Sequence, residues 1–309
     1  MRKGEKVRLT MKSIIKSLLK QPLRKLLYIV LLTGCGKIVI DEDISRFYFP
    51  SLRFYQSMAF SAEKACFVTP DGPDLILDVY RLEDGQKEAS VSMPLVDGYV
   101  PHANASCFSG DFYSDRSFFP LLYVSSWGGE RKAFVYDISK DDLEYKSSLV
   151  QVINPIGINE EVLGSGNLNW TVDIDNSRLY AVAYELPNSA LIKEGNSLHI
   201  TCFDLPKVES NVFEVFLTDS DVIDNRSLPV INAFQDMFID SGKLFIASGF
   251  PSVDEFFENK LFVIDLDSYM ISEKKLSIIG EPEGFCFYGG SYYLYMDGWI
   301  SGHVYNVNL

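Results

Sequence analysis

Three kinds of short apolar segment recur in the same order five times after residue 56, and this periodicity constrains the fold more than any other feature of the chain. One kind pairs two apolar residues with a polar one and an aliphatic: Val79-Tyr80-Arg81-Leu82, Val135-Tyr136-Asp137-Ile138, Cys202-Phe203-Asp204-Leu205, Val263-Ile264-Asp265-Leu266 and Val304-Tyr305-Asn306-Val307. Upstream of these lie Ala65–Val68, Leu122–Ser125, Leu179–Val182, Leu244–Ala247 and Tyr292–Tyr295. Before those come Ser57–Phe60, Ala105–Phe108, Trp170–Asp173, Asp236–Ile239 and Gly284–Phe287. Gly, Asp, Asn, Ser and Pro separate the segments, which reads as strands joined by turns rather than as helices. Fourth strands fit at about 88–94, 145–153, 212–217 and 273–279, with 185–196 and 219–229 read as insertions.

A four-stranded unit repeating at about 50 residues predicts an all-β propeller, because one twisted sheet buries its faces only against neighbouring copies. Five four-stranded blades are expected over a single domain, 44–309; a two-sheet sandwich or a sixth blade hidden in the long third unit are the competing architectures. The last unit stops at its third strand. The segment from Ile44 to Phe49 can supply the missing one, so that the two chain ends meet in one blade and no sheet edge is left free.

The first 34 residues have another character. Lys12, Lys16, Lys20, Arg24 and Lys25 precede the apolar run from Leu26 to Leu32, which is followed by Thr33-Gly34-Cys35. A run this short falls well below the ~20 residues of a membrane-spanning helix and reads as a signal-peptide core. Met11 is an alternative start. The motif Leu32-Thr33-Gly34-Cys35 resembles the lipobox of bacterial lipoproteins, which implies that residues 1–34 are removed and that Cys35 becomes the lipid-bearing first residue, with 35–43 as a tether. Asp41-Glu42-Asp43 resembles a surface-export signal but sits far from the Cys. The resemblance implies a bacterial cell-envelope address, outer-membrane or cell-surface, with periplasmic and outward orientations both open. Together with the repeats, it makes the chain similar to the propeller lipoproteins of bacterial envelopes, TolB-like and with Gln-Gly-Met openings to the inner strand; here the opening is Gln56-Ser57-Met58.

Charge follows the same division. Residues 1–34 hold nine basic residues against Glu5, so without them the formal net charge moves from −14 to −22. A body this acidic repels phosphate backbones, which argues against nucleic-acid partners. Five widely scattered Cys fit neither a disulfide scaffold nor a zinc site.

Gln56, Asn104, Asn169, Gln235 and Glu283 each stand one residue before an inner-strand segment. They are expected to ring one mouth of the channel, with His102 just above. The turns after the second strands return to that end and carry Trp127 and Trp299, with Trp170 nearby. Aromatic faces beside amides suit sugar rings, whose C–H faces stack while hydroxyls hydrogen-bond. The expected ligand-binding set is therefore Gln56, His102, Asn104, Trp127, Asn169, Trp170, Gln235, Glu283 and Trp299, serving a small polar ligand, a glycan or an envelope protein on a monomeric chain. A purely structural role for the same amides and Trp residues is the plainer alternative.

Signs of catalysis are few. Cleaving a glycosidic bond calls for two carboxyl groups across the scissile bond, and Glu283 is the sole acid in the ring, with Asp236 expected to point away from the channel. Asp111, Asp115, Asp173, Glu185 and Asp297 are left as rim acids. No Gly-x-Ser-x-Gly elbow occurs, and His102, His199 and His303 fall in different strand registers. Acidic turns such as Asp219-Ser220-Asp221 and Asp173-Ile174-Asp175 lack the rest of a calcium loop. The expectation is a non-catalytic binding module without a cofactor or metal; the alternative is a glycan-active enzyme using Glu283, and a third reading is a scaffold for an envelope complex.

Overall fold

The computed structural model describes residues 44–48, 55–71, 73–96, 102–126, 131–142, 144–185, 197–229, 234–251, 256–276, 278, 280–297, 302–307 and 309. The signal segment, Cys35, the tether, Trp127 and Trp299 lie outside them. Twenty-one strands are described, and they form five sheets.

Blade 1 holds β2 (Ser57–Ser61), β3 (Lys64–Asp71), β4 (Asp74–Arg81) and β5 (Lys87–Met93). Blade 2 holds β6 (Ser106–Phe108), β7 (Leu122–Ser125), β8 (Ala133–Asp141) and β9 (Glu144–Pro155). Blade 3 runs β10 (Leu168–Asp173), β11 (Arg178–Tyr184), β12 (Ser197–Asp204) and β14 (Val222–Pro229), and blade 4 runs β15 (Phe234–Asp240), β16 (Lys243–Pro251), β17 (Phe256–Asp265) and β18 (Ile271–Lys275). Blade 5 has β19 (Glu281–Tyr288), β20 (Ser291–Asp297) and β21 (Gly302–Val307), completed by β1 (Ile44–Tyr48), which pairs antiparallel with β21 from Ile44 opposite Val307 to Tyr48 opposite His303. The chain ends thus close the ring as expected, and the five-bladed propeller stands.

Period-2 alternation explains why the blades stack. On β16, Leu244 and Ile246 enter the apolar cluster shared with blade 3, whereas Phe245 and Ala247 enter the one shared with blade 5. Five such clusters fill the five seams between neighbouring blades. Two-residue turns with positive φ at both positions join the first two strands of blades 1, 4 and 5, at Ala62-Glu63, Ser241-Gly242 and Gly289-Gly290. Their twist matches that of the flanking strands.

Three expectations are corrected. The segment 212–217 is not the outer strand of blade 3: β13 (Glu214–Leu217) crosses the seam and adds a fifth strand, parallel to β9, on blade 2. The outer strand of blade 3 is β14, which covers most of the stretch read as an insertion, and no sixth blade forms. In blade 5 the third strand is displaced by two residues, since Val307, not Tyr305, lies opposite Tyr292. A shift of two keeps every side chain on its face, so the apolar pattern could not reveal it.

In blade 3 the inner strand is displaced by one residue, which does exchange the faces. The equivalent second-strand residues Val68, Val182, Ala247 and Tyr295 pair with Ser57, Asn169, Asp236 and Gly284, and Ser125 bonds back to Ala105. Asn169 is therefore the counterpart of Asp236, and Leu168 takes the expected ring position. Trp170 becomes the counterpart of Met58 and Met237, which accounts for its burial in the seam between blades 2 and 3, against Phe203.

Two inner strands approach closely in the seam between blades 5 and 1: a Cβ on Gly284 would lie 2.6 Å from Met58 Cβ and 3.1 Å from Tyr295 Cβ. Overpacking of this kind costs about 1–3 kcal/mol. Gly284→Ala is thus expected to lower the thermal midpoint by several degrees with the β-rich circular dichroism spectrum retained, and an unchanged midpoint would contradict the packing of this seam.

Candidate functional site

Inner strands begin at one end of the ring, the upper face, and end at the other, the lower face. Alternating strand directions carry Ser125, Tyr184, Ser248 and Asp297, at the ends of second strands, back to the upper face. The candidate site lies there, at the upper mouth.

Two β-bulges build it. The β15–β16 register slips between Phe234 and Asp236, and the β19–β20 register slips between Pro282 and Gly284, so Gln235 and Glu283 are the extra residues of two equivalent bulges. A bulge re-aims the side chain of its extra residue. Gln235 Nε2 donates to Glu281 Oε1 at 2.7 Å and to the Gly249 carbonyl at 3.2 Å, while its own carbonyl accepts from Asn104 Nδ2 at 2.8 Å. Asn104 belongs to blade 2 and Gln235 to blade 4, so this bond passes inside blade 3. Gln56 is half-buried just ahead of β2, its N–H bonded to Val68 O at 2.9 Å. His102 is half-buried, and burial lowers its pKa.

Three carboxyl groups of blade 5 meet at this mouth. Glu281 lies directly across from Asp297, and the bulge residue Glu283 hydrogen-bonds through its carboxyl to that of Glu281. Among the described residues, the charged groups acting on Glu281 and Glu283 are acids: each other, Asp297 and, for Glu283, Asp236. Burial and like charge therefore push Glu281 up to about 7 and Glu283 well above the usual carboxylate range. The pair holds a shared proton near neutrality.

Asp236 was expected to point away from the channel, and the structure corrects this. Fully buried, it accepts from the backbone N–H of Met237 at 2.8 Å and of Phe285 at 2.9 Å, and the N–H groups of Met58 and Ser106 also hydrogen-bond to it. These four amides belong to blades 4, 5, 1 and 2. Burial raises the pKa of Asp236 well above its ordinary value, and the four amides pull in the opposite direction. On the inner strands, several buried side-chain atoms have no hydrogen-bond partner among the described residues: Ser57 Oγ, Ser106 Oγ, both amide atoms of Asn169, and Oε2 of Glu283.

Other expected residues are placed elsewhere. Trp170 packs in a seam and donates from Nε1 to the Arg131 carbonyl at 3.2 Å. Asp111 and Asp115 belong to the connection that follows β6, and Asp173 ends β10, so all three lie at the lower face, where Asp173 accepts from Asn176 Nδ2 at 2.8 Å. Asp219 accepts from the N–H of Asn159, 60 residues earlier in the chain, and Asp221 accepts from the Thr218 N–H as a local cap, so both acids have structural partners. Among the described residues no group of three or more His, Cys, Asp or Glu side chains is arranged to hold a metal ion. Cys66, Cys107, Cys202 and Cys286 are buried free thiols, Cys107 pushed up to about 12 by burial, and they act as packing residues.

No known protein family matches the chain, and no curated protein does. Solved structures similar to it include the exo-β-1,3-galactanase of Phanerochaete chrysosporium (9% identity, 84% of this chain and 64% of that one, TM-score 0.48) and the Pan2 WD40 domain of Neurospora crassa (8%, 84% and 65%, 0.39). The coronin WD40 domain of Toxoplasma gondii is a third (12%, 84% and 75%, 0.41). The chain spans just under two thirds of the first two. None of these likenesses carries an argument about what the chain binds or does.

The carboxyl pair sets a pH dependence. The folded chain keeps a proton on Glu281 up to about 7, whereas the unfolded chain releases it near the ordinary value of 4.5. Stability contributed by this group is complete below 4.5 and is lost as pH rises toward 7, by at most about 1.4 kcal/mol per pH unit. Glu281→Gln is expected to raise the thermal midpoint relative to the parent by more at pH 7.5 than at pH 4.5; a difference that is flat across this range would contradict the pairing.

Proposed function

We propose that the chain is a lipid-anchored bacterial cell-envelope propeller that binds a polar ligand without transforming it, through the upper mouth. The anchor rests on the lipobox-like Leu32-Thr33-Gly34-Cys35 behind its basic and apolar segments. The binding role rests on one observation above all: among the described residues, hydrogen-bonding capacity is left unspent at Ser57, Ser106, Asn169 and Glu283 on the inner strands, beside the buried carboxyl pair of Glu281 and Glu283. Buried polar groups are otherwise almost always satisfied. An ammonium or guanidinium group entering this mouth would take the place of the shared proton and let Glu281 and Glu283 both ionise. The ligand class that fits is polar and cationic, such as an amine-bearing glycan.

A glycan-active enzyme is the second reading, favoured by the raised carboxyl of Glu283. Against it, the Glu281 and Glu283 carboxyls touch, whereas hydrolytic pairs stand about 5 Å or more apart to admit the bond being cut. The two readings separate in one experiment with the full chain, using glucosamine oligomers, their N-acetylated counterparts and chromogenic glycosides. Binding of the free amines in preference to the acetylated oligomers, weakened about tenfold or more by Glu281→Gln and reduced by His102→Ala, is expected. Turnover abolished by Glu283→Gln would establish the enzyme instead, and no binding of either oligomer would reject the ligand class.

A further inference from the structure

The lower face carries more than half of the large apolar side chains that are exposed among the described residues. Six of the ten large apolar side chains exposed among the described residues lie there: Phe112, Tyr113, Ile174, Met270, Phe287 and Leu309. Their positions follow from strand direction. Phe112 and Tyr113 lie between β6 and β7, Ile174 follows β10, Phe287 is next to last in β19, Met270 lies between β17 and β18, and Leu309 follows β21. All of these connections leave strands that run from the upper face to the lower one. The six come from blades 2, 3, 4 and 5, and Met270 is 73% and Phe112 56% exposed. Apolar side chains spread around the rim of a ring suit a plane better than a groove or a single protein ligand.

The chain also enters the ring at this face. β1 runs antiparallel to β21, so Ile44, opposite Val307, stands at the lower end of blade 5. Eight residues separate Ile44 from Cys35, a reach of roughly 30 Å at full extension. A lipid on Cys35 would thus hold the lower face, and not the mouth, within a short distance of a bilayer.

We infer that the lower face of the propeller rests on a lipid surface, with Phe112, Tyr113, Ile174, Met270 and Phe287 in its interfacial layer and the upper mouth turned away from it. This rests on the lipid-anchor reading proposed above. Aromatic and long apolar side chains favour the headgroup boundary, and one acyl chain alone gives only marginal binding, so added apolar contacts matter. The surface has to be poor in anionic lipid, since the body carries a formal charge of −22 once residues 1–34 are excluded. The upper mouth would then be open to the aqueous compartment in which a soluble ligand is found.

Hydrogen–deuterium exchange tests this with the full chain, processed in its bacterial host and bound to phosphatidylcholine–phosphatidylethanolamine vesicles, against the Cys35→Ser chain in solution. Peptides spanning 110–116, 173–177, 266–271 and 287–291 are expected to exchange severalfold more slowly on vesicles, and 156–167 at an unchanged rate. A second measurement uses the Phe112→Ser/Met270→Ser/Phe287→Ser variant in the Cys35→Ser background, whose residual retention by the same vesicles is expected to fall severalfold below that of Cys35→Ser alone. The mass of the mature N-terminus reports lipidation separately. A lipidated, vesicle-bound chain with unchanged lower-face exchange, or with slowing at 156–167, would overturn the orientation and leave the anchor standing. A chain with no lipid and no retention by vesicles would overturn both.

Discussion

The carboxylate of Asp236 is the contact on which the centre of this ring depends. Five sheets arranged around an axis present their innermost strand edges to one another, and each edge carries backbone N–H groups that the sheet itself does not use. Asp236 takes four of them, from blades 1, 2, 4 and 5. An unsatisfied buried N–H costs about 1–3 kcal/mol, so a single side chain at the axis offsets several such losses. It does so as a buried acid, which is a costly group unless donors surround it.

This choice shapes the mouth above. With Asp236 at the axis, Glu283 in the neighbouring bulge faces another acid from below as well as Glu281 and Asp297 beside it. Gln235, the residue before Asp236, ties the cluster to blade 2 through Asn104 and to the β16 bulge at Gly249. Packing and the proposed recognition are therefore adjacent here: Asp236, which locks the inner strands together, is next in sequence to Gln235 of the candidate site. The lower face shows the opposite chemistry, with apolar side chains at its rim and the N-terminal strand arriving there. In the function proposed above, the two ends of one ring divide the work of binding and of attachment.

Much of the architecture was legible in the chain because it is local or repeated. Five copies of three segments specify blades, and an incomplete last copy with a spare strand near residue 44 specifies closure. What escaped was non-local. The crossing of β13 onto blade 2 is set by pairing with β9, about 60 residues earlier, and nothing in Glu214–Leu217 announces it. In blade 3 the segment Trp170–Asp173 puts Asn169 in step with the other amides. The alternation of Leu168, Trp170 and Val172 was the better guide, because it places three large apolar residues in the core together. Asp236 was dismissed for the same reason: its position looked one residue out of step, while its actual partners come from three other blades. Gln235, Asn104 and Glu283 were recognised, but Glu281, which bonds to two of these three neighbours' side chains, was not, since it lies outside the repeat register.

The most direct measurement is a crystal structure of the chain purified from its native host without added ligand, followed by a soak with glucosamine oligomers. The account requires bound density at the upper mouth, with an amine within hydrogen-bonding distance of Glu281 or Glu283. Density confined to another surface, such as the exposed edge of β13, with the mouth unchanged by the soak, would contradict it.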